Sequence, residues 1–333
     1  MNLPQILTAE LTYRCNHACL FCSCPWENSP AMKEEELSAE EWKQIFAVAK
    51  QYGIQQVTFT GGEAILRDDF FEILDYAHNE GFSIGVISNG KKVDEQFLAR
   101  LKTYNVLLSI SVPGIETFAK TTGQNNIEHT LEIFDKCREL GIQTVANIAV
   151  TKINFKELYE NIALPLLHGA TYVLLNRFLP GGRGLTNTKY LLSIDEINEM
   201  FDIAEEVLSR AGIYGHIGTE LPYCIIKNPD KYKYLQIASL CAAAKSFFVI
   251  DPSGYVKVCN HSPKRLCKWT ELETLEENEY WKKFTSRDYI PEMCKGCEHL
   301  SKCDGGCREA AHVYFGDITD NDPCFEKTDR GLI

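Results

Sequence analysis

Between residues 4 and 212, short apolar runs alternate six times with amphipathic stretches, and that alternation limits the fold more than any single motif. The runs 6–13, 56–60, 83–88, 106–112, 143–150 and 171–178 are rich in Val, Ile, Phe and Thr, and most are followed closely by Gly, Asn or Pro. Stretches 39–52, 69–80, 95–104, 127–140 and 154–167 carry apolar residues at helical spacing. Strand and helix in strict rotation predict right-handed βαβ units and a mostly parallel sheet. Six units fall short of a closed eightfold barrel. The expected fold is therefore α/β, a partial (β/α)6 TIM-like barrel with its chemistry on loops at the C-terminal ends of the strands. A last helix over 193–211, with Ser193 as N-cap and Glu196 three residues on, closes this domain at about residue 212.

The composition then changes. Residues 213–333 hold nine of the fourteen cysteines and few periodic runs. We divide them into a bridging region, 213–240, and a small cysteine-rich α+β domain, 241–333. Residues 247–258 predict a β-hairpin turning at Asp251-Pro252-Ser253-Gly254. A domain with so little core is expected to be held by metal.

Ten of the cysteines fall into two ordered sets. The first is Cys15-x3-Cys19-x2-Cys22, directly after the first strand; the second is Cys241-x12-Gly254-x4-Cys259, then Cys294-x2-Cys297-x5-Cys303-x3-Cys307-x16-Cys324. No basic segment followed by an apolar run opens the chain, so a cytosolic address with reduced thiols is expected, and the thiols read as metal ligands rather than disulfides. No apolar stretch is long enough to span a membrane. The formal charge of −12, from 46 acidic and 34 basic residues, argues against a nucleic-acid partner.

Three closely spaced cysteines suit an iron–sulfur cubane with one iron lacking a protein ligand, or a zinc ion completed by Cys24 or His17. The run Cys15-Asn16-His17-Ala18-Cys19-Leu20-Phe21-Cys22 resembles the signature of the radical S-adenosylmethionine (SAM) enzymes, including the aromatic residue before the third cysteine. The resemblance implies a [4Fe–4S] cluster whose open iron binds SAM. One electron then cleaves SAM to methionine and a 5′-deoxyadenosyl radical, which abstracts hydrogen from a substrate. Thr60-Gly61-Gly62-Glu63 after the second strand resembles the family's Gly-Gly-Glu motif, which receives the SAM ammonium, although Ala64 stands where the family usually has Pro. Ser88-Asn89-Gly90, and Ser109 to Ser111, fall where relatives contact the ribose or the methionine carboxylate. Gly181-Gly182-Arg183-Gly184 lacks the Lys-Ser/Thr of a phosphate loop and is read as a flexible lip over the barrel mouth.

The second set resembles the SPASM domain, an extension of radical SAM enzymes that binds auxiliary clusters; a zinc ribbon is the competing reading. The resemblance implies two further clusters, expected to be [4Fe–4S]. Cys294, Cys297, Cys303 and Cys324 hold the outer one, and Cys241, Cys259 and Cys307 the inner one. Cys224 is the candidate for the fourth inner place, Cys267 the runner-up, and an open iron the third possibility. Cys137 and Cys24 are read as packed thiols.

SPASM relatives modify peptides, mature sulfatases or act on tetrapyrrole propionates. Asn260 follows Cys259 where the sulfatase group has an Asp base, which disfavours that reaction. Arg177, Arg183, Lys189 and His261 are the candidates for a tetrapyrrole carboxylate pocket. The leading reading is oxidative cross-linking of a ribosomally made precursor peptide, with a ferredoxin or flavodoxin as reductant. Because the barrel starts within a dozen residues of Met1, the expectation is either a separate leader-recognition protein that presents the peptide or a barrel that reads it unaided. No Asp, Tyr or His is placed by motif as the catalytic base. The non-enzyme alternatives are an iron–sulfur electron carrier and a zinc-bound structural module.

Overall fold

The computed structural model describes residues 3–23 and 34–325. Strand β1, Ile6–Thr12, is buried along almost its whole length, as a strand covered on both faces must be. Leu7, Ala9 and Leu11 enter the apolar core, while the alternate residues Thr8, Glu10 and Thr12 are polar yet buried on the other face. The next strands follow in order: β2 (Gln56–Gly61), β3 (Ser83–Ser88), β4 (Leu107–Ser111), β5 (Gln143–Val150) and β6 (Tyr172–Arg177). Each pairs in parallel with its predecessor.

The helices between them are α1 (Ala39–Gln51), α2 (Phe70–Asn79), α3 (Glu95–Leu101), α4 (Phe118–Thr122), α5 (Ile127–Leu140) and α6 (Leu158–Leu167). In α1, Trp42, Ile45, Phe46 and Ala49 make one buried stripe, and Ser38 with Glu41 forms a complete capping box. Phe46, Phe59, Phe70 and Phe97 link α1, β2, α2 and α3 through ring centroids 5.9–6.0 Å apart. Helix α7 (Ile194–Ala211) starts at the expected Ser193–Glu196 box and ends at Gly212, whose positive φ terminates it. Of these seven helices, α4 alone has no counterpart in the sequence reading. Five residues are too few to show a period.

The sheet does not stop at the sixth strand. At one edge β7 (Gly215–Ile217) and β8 (Leu235–Ile237) add in parallel. At the other, the hairpin of β9 (Phe247–Ile250) and β10 (Val256–Lys257) joins through β9, which lies parallel to β1. The result is one open ten-stranded sheet ordered β10-β9-β1-β2-β3-β4-β5-β6-β7-β8. Helices α8 (Glu279–Thr285) and α9 (Arg308–Phe315) follow, and Trp281, Phe284 and Tyr289 share the barrel's core cluster. The cysteine-rich segment is thus seated on the edge of β1, the strand that delivers the first cysteine set. No described helix is long and apolar enough to cross a membrane.

Candidate functional site

The loop after β1 carries Cys15, Cys19 and Cys22, and its backbone is held from two sides. The end of α4 accepts the Ala18 and Leu20 amides on the carbonyls of Thr122 and Thr121, both at 2.9 Å. From the other side Arg183 Nη1 donates to the Cys19 carbonyl at 3.0 Å, Asn187 Nδ2 to that of Leu20 at 3.1 Å, and the Gly184 amide to that of Cys22 at 3.1 Å. The Gly-Gly-Arg-Gly segment is therefore a clamp on the cysteine loop, not a free lip. A Cβ on Gly181 would stand 2.4 Å from the Ser23 carbonyl oxygen, so only glycine packs there. Burial pushes the Cys15 and Cys19 thiols up, and each feels the charge of Cys22. His17 packs edge-on against Phe118 at 6.2 Å, and burial pushes its imidazole down to about 4. Cys24 lies outside the described residues.

Gly61, Gly62 and Glu63 press against this loop. The Gly62 amide donates to Thr12 at 2.7 Å and the Glu63 amide to Arg14 at 2.8 Å. A Cβ would meet the Thr12 carbonyl oxygen at 2.4 Å from Gly61 and the Arg14 carbonyl oxygen at 2.3 Å from Gly62. The glycines are a requirement of space, and at Gly61 also of its positive φ. Glu63 is 2% exposed. Its Oε2 accepts from the Asn89 amide at 2.7 Å, whereas Oε1 is buried without a hydrogen bond. Burial pushes its carboxyl up to about 7, partly offset by Asn89, Ser88 and the Ile65 amide. Asn89 also reaches the cysteine loop, with Nδ2 2.7 Å from Asn16 Oδ1 and 3.8 Å from Cys15 Sγ. Ser88 and Asn89 thus brace Glu63 and the loop. On β4, Ser109 Oγ is a second buried oxygen without a partner, and Ser111 is half-buried. An orphaned carboxylate oxygen behind a glycine cradle, beside three thiols, fits the ammonium of SAM.

The other cysteines sort by their mutual charge effects into two groups. Cys241, Cys259 and Cys307 act on one another, and burial pushes all three up. Cys294, Cys297 and Cys303 form the second group, and Cys224 belongs with it, feeling Cys303 and Cys297 and acting on Cys324. The structure therefore brings Cys224 to the expected outer ligands rather than to the inner three. Cys267 stands apart, next to Thr274, Glu271 and Glu273, and Cys137 is buried in α5. Among the described residues, no three Cys, His, Asp or Glu side chains gather at the spacing of a single metal ion.

Two buried acids that no motif marked organise this region. Asp322 accepts the Cys307 amide at 2.8 Å and the Cys324 amide at 2.9 Å, and pairs with both Arg177 terminal nitrogens at 2.9 and 2.6 Å. Burial alone would raise its carboxyl, but the Arg177 charge and hydrogen bonds hold it below the usual range. Asp304 likewise accepts the Cys241 amide at 2.7 Å and pairs with Arg287 at 2.6 Å. Arg177 is 3% exposed and engaged, Arg183 binds the cysteine loop, and His261 bonds the Pro180 carbonyl at 2.8 Å. Those three are built into the protein frame, which removes most of the basic pocket expected for a tetrapyrrole. Asn260 Nδ2 donates to Glu10 at 2.9 Å, and Glu10 is also paired with Lys257 at 2.8 Å. Arg177→Met is expected to destabilise the apo-protein by about 3–5 kcal/mol, because Asp322 is left charged and buried. Denaturant unfolding measures the loss, and Arg177→Met with Asp322→Leu should recover most of it.

Residues 9–164, a little under half of the chain, match the family model described as Radical SAM superfamily. The fold of the whole chain is shared with several solved structures. SuiB from Streptococcus suis bound to S-adenosylmethionine superposes with a TM-score of 0.76 at 15% identity, over 99% of this chain and 78% of SuiB. SuiB bound to precursor peptide SuiA gives 0.75 at 14%, over 99% and 77%. Native anSMEcpe with bound AdoMet and Cp18Cys peptide gives 0.72 at 15%, over 96% and 92%. At these identities the likeness establishes the common fold.

Proposed function

We propose that this chain uses SAM to begin radical chemistry on a ribosomally made precursor peptide and completes it oxidatively, leaving a cross-link or related modification. Cys15, Cys19 and Cys22 hold the [4Fe–4S] cluster that, with SAM bound, supplies the one-electron cleavage to methionine and a 5′-deoxyadenosyl radical. Glu63 receives the SAM ammonium on Oε1, and Gly61 and Gly62 let the cofactor's methionine end approach the strand ends. Ser109 and Ser111 on β4 are the candidates for the rest of SAM, Ser109 with a buried hydroxyl that has no hydrogen-bond partner.

The observation that carries the oxidative part is the second supply of thiols. Residues 241–333 form the auxiliary domain, with Cys294, Cys297, Cys303 and Cys324 holding an outer cluster and Cys241, Cys259 and Cys307 an inner one. A peptide that loses one hydrogen atom to 5′-deoxyadenosyl must also lose a proton and an electron to close a new bond. The thiols of residues 241–333 would hold clusters able to take up that electron, and an external reductant such as a ferredoxin or flavodoxin would supply the one needed for SAM cleavage. The peptides bound to SuiB and anSMEcpe support this substrate class.

Anaerobic reconstitution is expected to load about twelve irons per chain, four for each cubane. With reductant and SAM, 5′-deoxyadenosine should form, and a cognate peptide should lose the mass of two hydrogens in step with it. Full iron without any 5′-deoxyadenosine would identify an electron carrier instead. Zinc in place of the auxiliary iron would remove the oxidative step.

A further inference from the structure

A cubane cluster takes four protein ligands when closed, and the inner set has three thiols. The two spare cysteines nearest in sequence do not complete it, because Cys224 lies with Cys303 and Cys297, and Cys267 with Glu271 and Glu273. Two carboxylates do approach. Glu309 neighbours Cys259, but both its oxygens are engaged: Oε1 accepts the Tyr280 hydroxyl at 2.8 Å and Oε2 meets His312 Nδ1 at 3.1 Å.

Glu220 is differently placed. It sits on the loop between β7 and β8, which is pinned by the Leu221 amide on the Ala238 carbonyl at 3.1 Å. Arg177 Nη2 holds the Glu220 carbonyl at 2.8 Å. Its Oε1 receives the amide of Ala242, the residue after Cys241, at a long 3.3 Å. Among charged groups it acts most strongly on both Cys241 and Cys307. Its nearest cation, Arg177, is already bound through both terminal nitrogens to Asp322. A carboxylate placed against two buried thiols, and sharing its nearest described cation with Asp322, lacks the counter-charge that a cluster's iron would provide.

We propose that Glu220 is the fourth ligand of the inner cluster, its carboxylate covering the iron that Cys241, Cys259 and Cys307 leave open. The inference rests on the auxiliary-cluster reading above. An oxygen ligand makes that iron the most exchangeable of the inner four and sets its potential apart from an all-thiolate cluster.

The test uses the full-length chain with Cys15, Cys19 and Cys22 replaced by alanine, reconstituted anaerobically so that only auxiliary iron is counted. Mössbauer spectra are expected to show one iron with the larger isomer shift of oxygen ligation. Glu220→Gln should lose that component and about one iron per chain, with the EPR signal of an oxidised [3Fe–4S] cluster appearing. Glu220→Cys should keep the iron and give a uniform thiolate spectrum, while the outer cluster reports that both variants are folded. If Glu220→Gln leaves count and spectra unchanged while Cys241→Ala removes about four irons, the inner cluster stands and Glu220 is not its ligand. If Cys241→Ala removes none, the inner cluster itself is absent and both readings fall.

Discussion

Gly62→Ala is expected to prevent loading of the proposed N-terminal cluster while leaving the proposed auxiliary iron in place. The added methyl would sit 2.3 Å from the Arg14 carbonyl oxygen and 2.7 Å from that of Tyr13, with backbone on all near sides. No flexible side chain is there to yield, so either the loop carrying Cys15 lifts or β2 withdraws from it. Overpacking of this kind costs ~1–3 kcal/mol, and more against rigid backbone. The strain falls on the segment that presents the thiols. Iron analysis after reconstitution should show about four irons missing, with 5′-deoxyadenosine abolished and the far-ultraviolet spectrum unchanged. Full iron with a wild-type rate of SAM cleavage would mean that the glycine cradle does not position the triad.

Glu63→Gln should separate stability from function in opposite directions. Burial raises the folded-state carboxyl from 4.5 to about 7. The unfolded chain therefore releases this proton first as pH rises. The folded state is penalised progressively from about pH 4.5 to 7 and by a constant ~3 kcal/mol above that. Glutamine removes the penalty, so the apo-variant should melt higher than the parent at pH 8 and equally at pH 4. Binding runs the other way. In the proposed placement the SAM ammonium pairs with the carboxylate, so parent affinity should fall about tenfold per unit as pH drops below 7. The variant should bind roughly 10–100-fold more weakly at pH 8, the worth of a charge-assisted hydrogen bond, with a flat profile. Titration calorimetry across pH decides it; an unchanged profile in the variant would assign the ammonium to another group.

Both effects depend on how the sheet ends are assembled. The register irregularity between Glu10 and Thr12 lets Gly61 pair with Thr12, which brings the Gly-Gly-Glu turn under the cysteine loop. On the opposite side of β1, the β9–β10 hairpin places Lys257 on Glu10 and Asn260 beside it. One strand thus touches both the Cys15–Cys22 loop and the cysteine-rich segment. Asp322 joins that segment to β6 through Arg177, a contact between residues 145 positions apart.

What could be read along the chain was whatever closes over short distances. The six βα units, the Ser193–Glu196 cap, the hairpin at 251–254, the cysteine triad and the Gly-Gly-Glu turn each lie within a few residues, where backbone geometry leaves little choice. The repetition pointed to a partial barrel, and the resemblance of the cysteine and Gly-Gly-Glu motifs to those of the radical SAM enzymes pointed to its kind. Tertiary structure decided the rest. It joined β9 to β1, turned Gly181 to Gly184 into a clamp, moved Cys224 to the outer thiols and committed Arg177 to Asp322. These pairings span tens to hundreds of residues, and nothing local prefers one distant partner to another. The choice is made when burial demands a partner for each charge and a neighbour for each apolar face.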